Sequence, residues 1–295
     1  MRMVQHPKPT GAFPTIDRVR LGITRGELQG PRYRRVHRGV HVPRDEPMSL
    51  EDRCRALGLV LGSDAVFSHH TAAALHGAPV PDEPLLHISI TGSVEPRIDG
   101  VVCHRLQNLG PPHTFNGLRI TSPARTFVDL AAFLDLNNLV CTGDALAARE
   151  PAGVAALREQ ILNGSGRRGV RLARRAVELI NPRSRSYMES KLRLMLVLAG
   201  LPEPDVNEDV YDSAGNYVAC PDLAWRLVLL ALQYEGNHHR IDPRQWHRDI
   251  GRDERMVEIG WTVLRITADD VNVSPAATIV RIRRTFDRLS GRRAA

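Results

Sequence analysis

Tyr217-Val-Ala-Cys-Pro-Asp222-Leu-Ala-Trp-Arg-Leu-Val-Leu-Leu-Ala-Leu-Gln233-Tyr-Glu235-Gly-Asn-His238-His239 is the stretch around which the rest of the chain is organised. An acidic residue follows a proline at the end of one strand-like run, an apolar run follows, and that run ends in Gln-Tyr-Glu-Gly with two histidines. From Leu227 to Leu232 nothing polar interrupts the sequence, which is how a strand covered on both faces reads. It predicts the centre of a sheet. Side chains two apart on a strand share a face, so Gln233 and Glu235 point the same way, and a hairpin bending near Leu227 brings Asp222 opposite Gln233. Gly236 permits a tight exit, after which His238 and His239 return over the same edge.

Upstream, Ser186 to Gly200 repeats its apolar residues at helical spacing and stops at a glycine followed by Pro202. Glu189 lies one turn before Leu192 and two before Leu196, at the N-terminal end of the buried stripe. A carboxylate there is costly to bury unless something positive meets it. A divalent cation, a nearby arginine and the helix N-terminus itself all meet that need.

Six boxes then carry a resemblance: Met188-Glu-Ser-Lys-Leu-Arg193, Ala199-Gly-Leu-Pro-Glu-Pro204, Cys220-Pro-Asp-Leu-Ala-Trp225, Gln233 to His239, Arg248-Asp-Ile-Gly-Arg-Asp253 and Glu258-Ile-Gly-Trp-Thr-Val-Leu-Arg265. In this order they resemble the DUF559 family, related to the very-short-patch repair endonucleases within the PD-(D/E)XK nuclease superfamily. The likeness spans Arg183 to Asp287. It implies a restriction-endonuclease-like sheet flanked by helices and Mg²⁺- or Mn²⁺-dependent phosphodiester cleavage. Glu189, Asp222, Gln233 and Glu235 then occupy the metal-site positions. Such an ion takes hard oxygen ligands, activates a water and neutralises charge developing on the phosphate.

The sequence departs from the superfamily pattern where it matters. Gln233 stands at the acidic position of the (D/E)XK element and Glu235 at its lysine position. Similar repair endonucleases use histidines near this point, so His238 and His239 join Glu189, Asp222 and Glu235 as the catalytic candidates. Read without the resemblance, Asp222 can simply turn the hairpin and Glu189 can be an acid favoured by the helix dipole. Arg252 with Asp253 reads as a helix-surface ion pair, and Trp225 and Trp261 as packing residues.

Composition sets the frame for the rest. With 295 residues, 42% hydrophobic and 25% charged, the chain is long enough for two or three compact units. Net charge +7 favours a polyanionic partner, and arginine supplies nearly all of it, Lys8 and Lys191 being the only lysines. Cys54, Cys103, Cys141 and Cys220 show no C-x-x-C spacing, which argues against a zinc module or a disulfide framework. The N-terminus lacks an apolar leader pattern and no run approaches a membrane span, so a cytoplasmic protein with no membrane partner is expected.

At the N-terminus, Thr24-Arg-Gly-Glu27 is a capping box, and Tyr33 to Val42 reads as two short strands turning near Gly39. This region resembles the winged helix-turn-helix of AbiEi-type antitoxins, with Arg38-Gly-Val-His-Val42 as its wing. The likeness implies a helix from Thr24 in the major groove and phosphate contacts from Arg34, Arg35 and Arg38. Docking on another protein, such as a toxin partner, is the competing use of such a domain.

Ser49 to Gly62 reads as a helix capped by Ser49, and Ser68 to Gly77 as a second one capped by Ser68. His69, His70 and His76 on the latter read as core or capping residues rather than a metal site, because no acid or cysteine joins them. Strands are expected at Leu85–Thr91, Val101–Leu106 and Gly117–Thr121, then a helix opened by Ser122-Pro123 with Arg125 and Asp129 paired on one face. This middle region is similar to that of AbiEi-like proteins carrying a DUF559 tail. Between Asn163 and Arg185, Arg167, Arg168, Arg171, Arg174 and Arg175 form either a solvated helix face or a phosphate-tracking one.

The expected organisation is therefore α/β (α+β): a winged helix-turn-helix over 1–48, a mixed α/β middle region over 49–162, a basic helical linker over 163–182 and an endonuclease-like domain over 183–295. Two functions follow. One is a metal-dependent DNA endonuclease targeted by its N-terminal domain. The other is an AbiEi-like antitoxin or regulator that binds DNA with a degenerate nuclease domain.

Overall fold

Thr24 opens helix α1 (Arg25–Gln29) through a reciprocal cap: the Glu27 amide donates to Thr24 Oγ1 at 3.2 Å, and the Glu27 carboxylate accepts from the Thr24 amide at 2.9 Å. The computed structural model describes residues 9–92, 95–106, 110–164, 166–235, 251 and 253–294. They belong to two compact units, Met1–Leu130 and Ala131–Ala295, both mixing helices with sheets. The division falls inside the stretch read as one middle region, because the helices after Ala131 pack on the C-terminal unit's own helices.

In the first unit, β1 (Phe13–Pro14), β2 (Tyr33–His37) and β3 (Val40–Pro43) form an antiparallel sheet in the order β1-β3-β2. Gly39, at φ +80°, makes the β2–β3 turn. Phe13, Ile23, Leu28 and Tyr33 close a small core over it. Helix α2 (Leu50–Gly58) begins at Ser49 with a second capping box to Asp52 and stops four residues short of Gly62.

A five-stranded sheet follows, built from β4 (Val66–Phe67), β5 (Leu86–Ile90), β6 (Val101–Arg105), β7 (His113–Phe115) and β8 (Leu118–Ile120) in the order β6-β5-β4-β8-β7. The pairs β5/β6 and β4/β8 are parallel and the others antiparallel. Cys54, Leu57, Phe67, Leu75, Ile88 and Ile120 fill its apolar core. Helices α3 (His69–Leu75) and α4 (Pro123–Leu130) complete the unit, and α4 is buried along its whole length. Arg125 and Asp129 do pair on it, at 2.8 Å, inside the protein rather than on a surface.

The second unit starts with α5 (Leu136–Ala147), α6 (Val154–Asn163), α7 (Val170–Val177) and α8 (Tyr187–Leu198). Gly169, at φ +83°, lies so close to the chain at Ala131 that an added Cβ would sit 2.3 Å from its carbonyl oxygen. Only glycine fits there. The main sheet comprises β9 (Asp205–Val206), β12 (Leu223–Trp225), β13 (Leu230–Glu235) and β14 (Thr262–Thr267), in the order β14-β13-β12-β9. A separate hairpin joins β10 (Val210–Tyr211) to β11 (Tyr217–Ala219). Strands β12 and β13 form an antiparallel hairpin, while β13 and β14 run parallel, with helical residues 253–258 between them as such a crossover requires. Helices α9 (Ala268–Asn272) and α10 (Pro275–Ala294) end the unit.

Both faces of β13 are covered, which accounts for its missing polar alternation. Leu223, Trp225, Leu230, Leu232 and Ile266 meet Leu192 and Leu196 of α8 and Ile282 of α10. On the other face Ala224 and Ala231 meet Met256, Trp261 and Val218. Trp225 and Trp261 are packing residues, each 6% exposed. The apolar run itself is broken: Arg226–Val228 form a 3-10 turn, Leu229 adopts φ +51°, and Leu227 is 86% exposed at the bend. The central strand therefore begins at Leu230, not Leu227. Among the described residues, no helix is long and apolar enough to cross a membrane.

Candidate functional site

The hairpin register pairs Leu223 with Leu232, so Asp222 and Gln233 face each other one step further along. Gln233 Nε2 donates to Asp222 Oδ2 at 3.0 Å, and the Tyr234 amide donates to the same oxygen at 2.6 Å. Strand alternation is the cause: position 222 shares a face with Ala224, and 233 and 235 share one with Ala231. That face carries the polar groups once the apolar cover ends.

Glu189 occupies the third position of α8 because Ser186 caps the helix, its Oγ accepting from the Glu189 amide at 3.2 Å. The side chain is 9% exposed. Its Oε2 accepts from the Arg185 amide at 2.9 Å and from Asn207 Nδ2 at 2.8 Å, so among the described residues hydrogen-bond donors meet this carboxylate. Asn207 also donates its backbone amide to the Asp222 carbonyl at 3.1 Å. One asparagine, in the left-handed region at φ +50°, thus ties Glu189 to the strand that begins after Asp222.

Glu235 is engaged differently. Its carboxylate pairs with Arg265, which stands opposite Gln233 on β14, and the other side of that guanidinium holds Asp253 at 2.7 Å. Asp253 is therefore bound to the sheet; Arg252, its expected partner, lies outside the described residues. His238 and His239 also lie outside them. Asp222 with Gln233, and Glu189 with Asn207, are brought together; Glu235 is turned to Arg265.

Most of the basic candidates are solvent-facing. Arg35 and Arg38 are exposed on the β2–β3 hairpin and Arg34 is half-buried. Arg171, Arg174 and Arg175 line the exposed side of α7, opposite Ala173, Ala176 and Val177, which are buried. Arg168 is exposed before the helix, and Arg167 is half-buried.

A second polar cluster includes His69 and His70, expected as core or capping residues, together with His87, His104 and Glu83. Among the described residues, two groups bring three ligand-bearing side chains within 4.8 Å of one another: His69, His87 and His104, and His70, Glu83 and His87. The acids of α8, β12 and β13 form no such group. His87 Nδ1 lies 3.0 Å from His104 Nε2, and the His69 ring stacks on His104 with centroids 3.7 Å apart. Ser68 does not cap α3. Its Oγ bonds His69 Nδ1 at 2.9 Å and accepts from Ser89 Oγ at 2.8 Å. Burial, then the neighbouring imidazoles, push the His69 pKa down to about 2 and that of His87 to about 4. Both rings are neutral at physiological pH. The missed signal was the polar residue at alternate positions of β5, His87 and Ser89, in a strand buried on both faces.

Comparison with known proteins gives two relatives. The chain is 31% identical over 260 residues to the uncharacterized proteins MT2308 and Rv2248, from two strains of Mycobacterium tuberculosis, covering 86% of this chain and 92% of each relative. No family model matches the chain.

Proposed function

We propose, for a chain that belongs to the family of these two mycobacterial proteins, that it is a metal-dependent DNA endonuclease of the DUF559 and very-short-patch-repair-like type. In this reading the C-terminal unit cleaves phosphodiester bonds and an N-terminal winged helix-turn-helix delivers it to DNA. The observation that carries it is the row Glu189–Asn207–Asp222–Gln233, in which a helix start and a strand hairpin present oxygen-bearing side chains through one shared asparagine. The two-stranded β2–β3 turn, with Arg35 and Arg38 exposed, supports the targeting role.

The donor types suit Mg²⁺ or Mn²⁺: Glu189 and Asp222 carry carboxylates, and Glu235 and Gln233 would join them only by leaving Arg265 and by turning the amide oxygen toward Asp222. An ion held by these residues would supply an activated water and neutralise charge on the phosphate. A plasmid-nicking assay tests the reading. Nicking that requires Mg²⁺ or Mn²⁺ and drops at least about 100-fold in Asp222→Asn is expected, as for loss of a principal electrostatic group. Equal nicking by the variant, or none with either metal, defeats it.

A second reading has its own observations. Gln233 donates to Asp222, an arrangement that occupies a carboxylate oxygen, and Arg265 neutralises Glu235. Both suit an antitoxin-like regulator that binds DNA, with or without a toxin partner, through a nuclease fold without its chemistry. A gel shift on the gene's own promoter, specific and metal-independent, would favour it.

A further inference from the structure

We propose that the first unit carries a separate metal centre, in which His69, His87 and His104 hold one divalent transition ion of the zinc class. Three imidazoles and no thiolate suit Zn²⁺, and three protein ligands leave the fourth position open to water or to an exogenous ligand. The inference uses residues of the first unit alone and stands whether or not the second unit is a nuclease.

One pair of nitrogens already stands at ligand spacing. Zn–N bonds of about 2.0–2.1 Å at a tetrahedral angle place two ligating nitrogens roughly 3.3 Å apart; His87 Nδ1 and His104 Nε2 are 3.0 Å apart. Polar neighbours stand behind two of the three rings. His87 turns its other nitrogen, Nε2, toward Glu83 Oε2 at 3.8 Å, and His69 Nδ1 is fixed by Ser68, itself held by Ser89.

His69 and His87 are buried, whereas His104 is half-exposed on the edge strand β6 and provides the route for an ion. His69 also sits at φ +52°, a conformation that side-chain-bearing residues seldom adopt and that concentrates at functional positions. Stacked rings cannot both aim a nitrogen at one ion. Binding therefore requires the His69 and His104 rings to splay.

The test uses the tag-free full chain stripped with a chelator. Titration with Co²⁺ is expected to produce the visible bands of a four-coordinate site at one ion per chain, and Zn²⁺ to displace them stoichiometrically. His104→Gln, chosen because the residue is half-exposed, should abolish the bands with an unchanged far-ultraviolet spectrum. Glu83→Gln should weaken binding about 10-fold, as outer-partner losses do. Asp222→Asn and His113→Gln should leave the bands intact. Absence of the bands in the unmodified chain, or their persistence in His104→Gln, overturns the proposal without reference to nuclease activity.

Discussion

Arg193 shows how much a single residue can carry that periodicity does not reveal. It lies on α8, 1% exposed, where its guanidinium spans Asp144 of α5 at 3.1 Å, the Leu179 carbonyl at 2.7 Å and Glu203 at 2.8 Å. Asp144 is also 1% exposed and accepts from the Asn181 amide at 2.8 Å. Removing one partner strands a buried charge, which costs about 3–5 kcal/mol, whereas replacing both with apolar groups is often near neutral. Arg193→Met and Asp144→Leu should each lower the unfolding free energy of the unit by that amount, and the double variant should be more stable than either single one. Urea denaturation followed by circular dichroism measures this; strictly additive losses would contradict it. Asp222 beside Gln233 was legible because strand alternation decides it, while Arg193 with Asp144 was not, because it depends on which helices pack. The same limit hid the histidine cluster, whose members come from α3, β5 and β6.

Among helices, starts marked by a capping residue were legible. The boxes at Thr24 and Ser49 mark helix starts, and Ser122-Pro123 marks another, since each satisfies a backbone group that the helix leaves orphaned. Strands β4 and β7 had no such mark, being two and three residues long and stabilised by their neighbours in the sheet. The apolar run before β13 misled in the other direction, because Leu227 is apolar yet turns outward at the hairpin bend. For the β2–β3 hairpin the proposed use makes a quantitative demand. If Arg35 and Arg38 contact phosphates, Arg35→Gln and Arg38→Gln should each reduce the salt slope of DNA binding by about 0.9 and weaken all sequences alike. A binding titration over a salt series checks this, and an unchanged slope assigns DNA contact to another element.

At the scale of the whole molecule, composition foretold a basic, multi-unit chain, and its two units each mix helices with sheets. Composition did not place the division at Leu130, because a boundary is set by which helices share a core. The central proposal concerns the second unit: a helix start and a strand hairpin, joined through Asn207, would present Glu189 and Asp222 to one divalent ion. Calorimetric titration of the full chain with Mn²⁺ tests it most directly, beside Asp222→Asn, Glu189→Gln and His87→Ala. One Mn²⁺ site that is lost in Asp222→Asn, weakened in Glu189→Gln and retained in His87→Ala is the predicted result; Mn²⁺ binding that is absent, or indifferent to Asp222→Asn, would contradict the account.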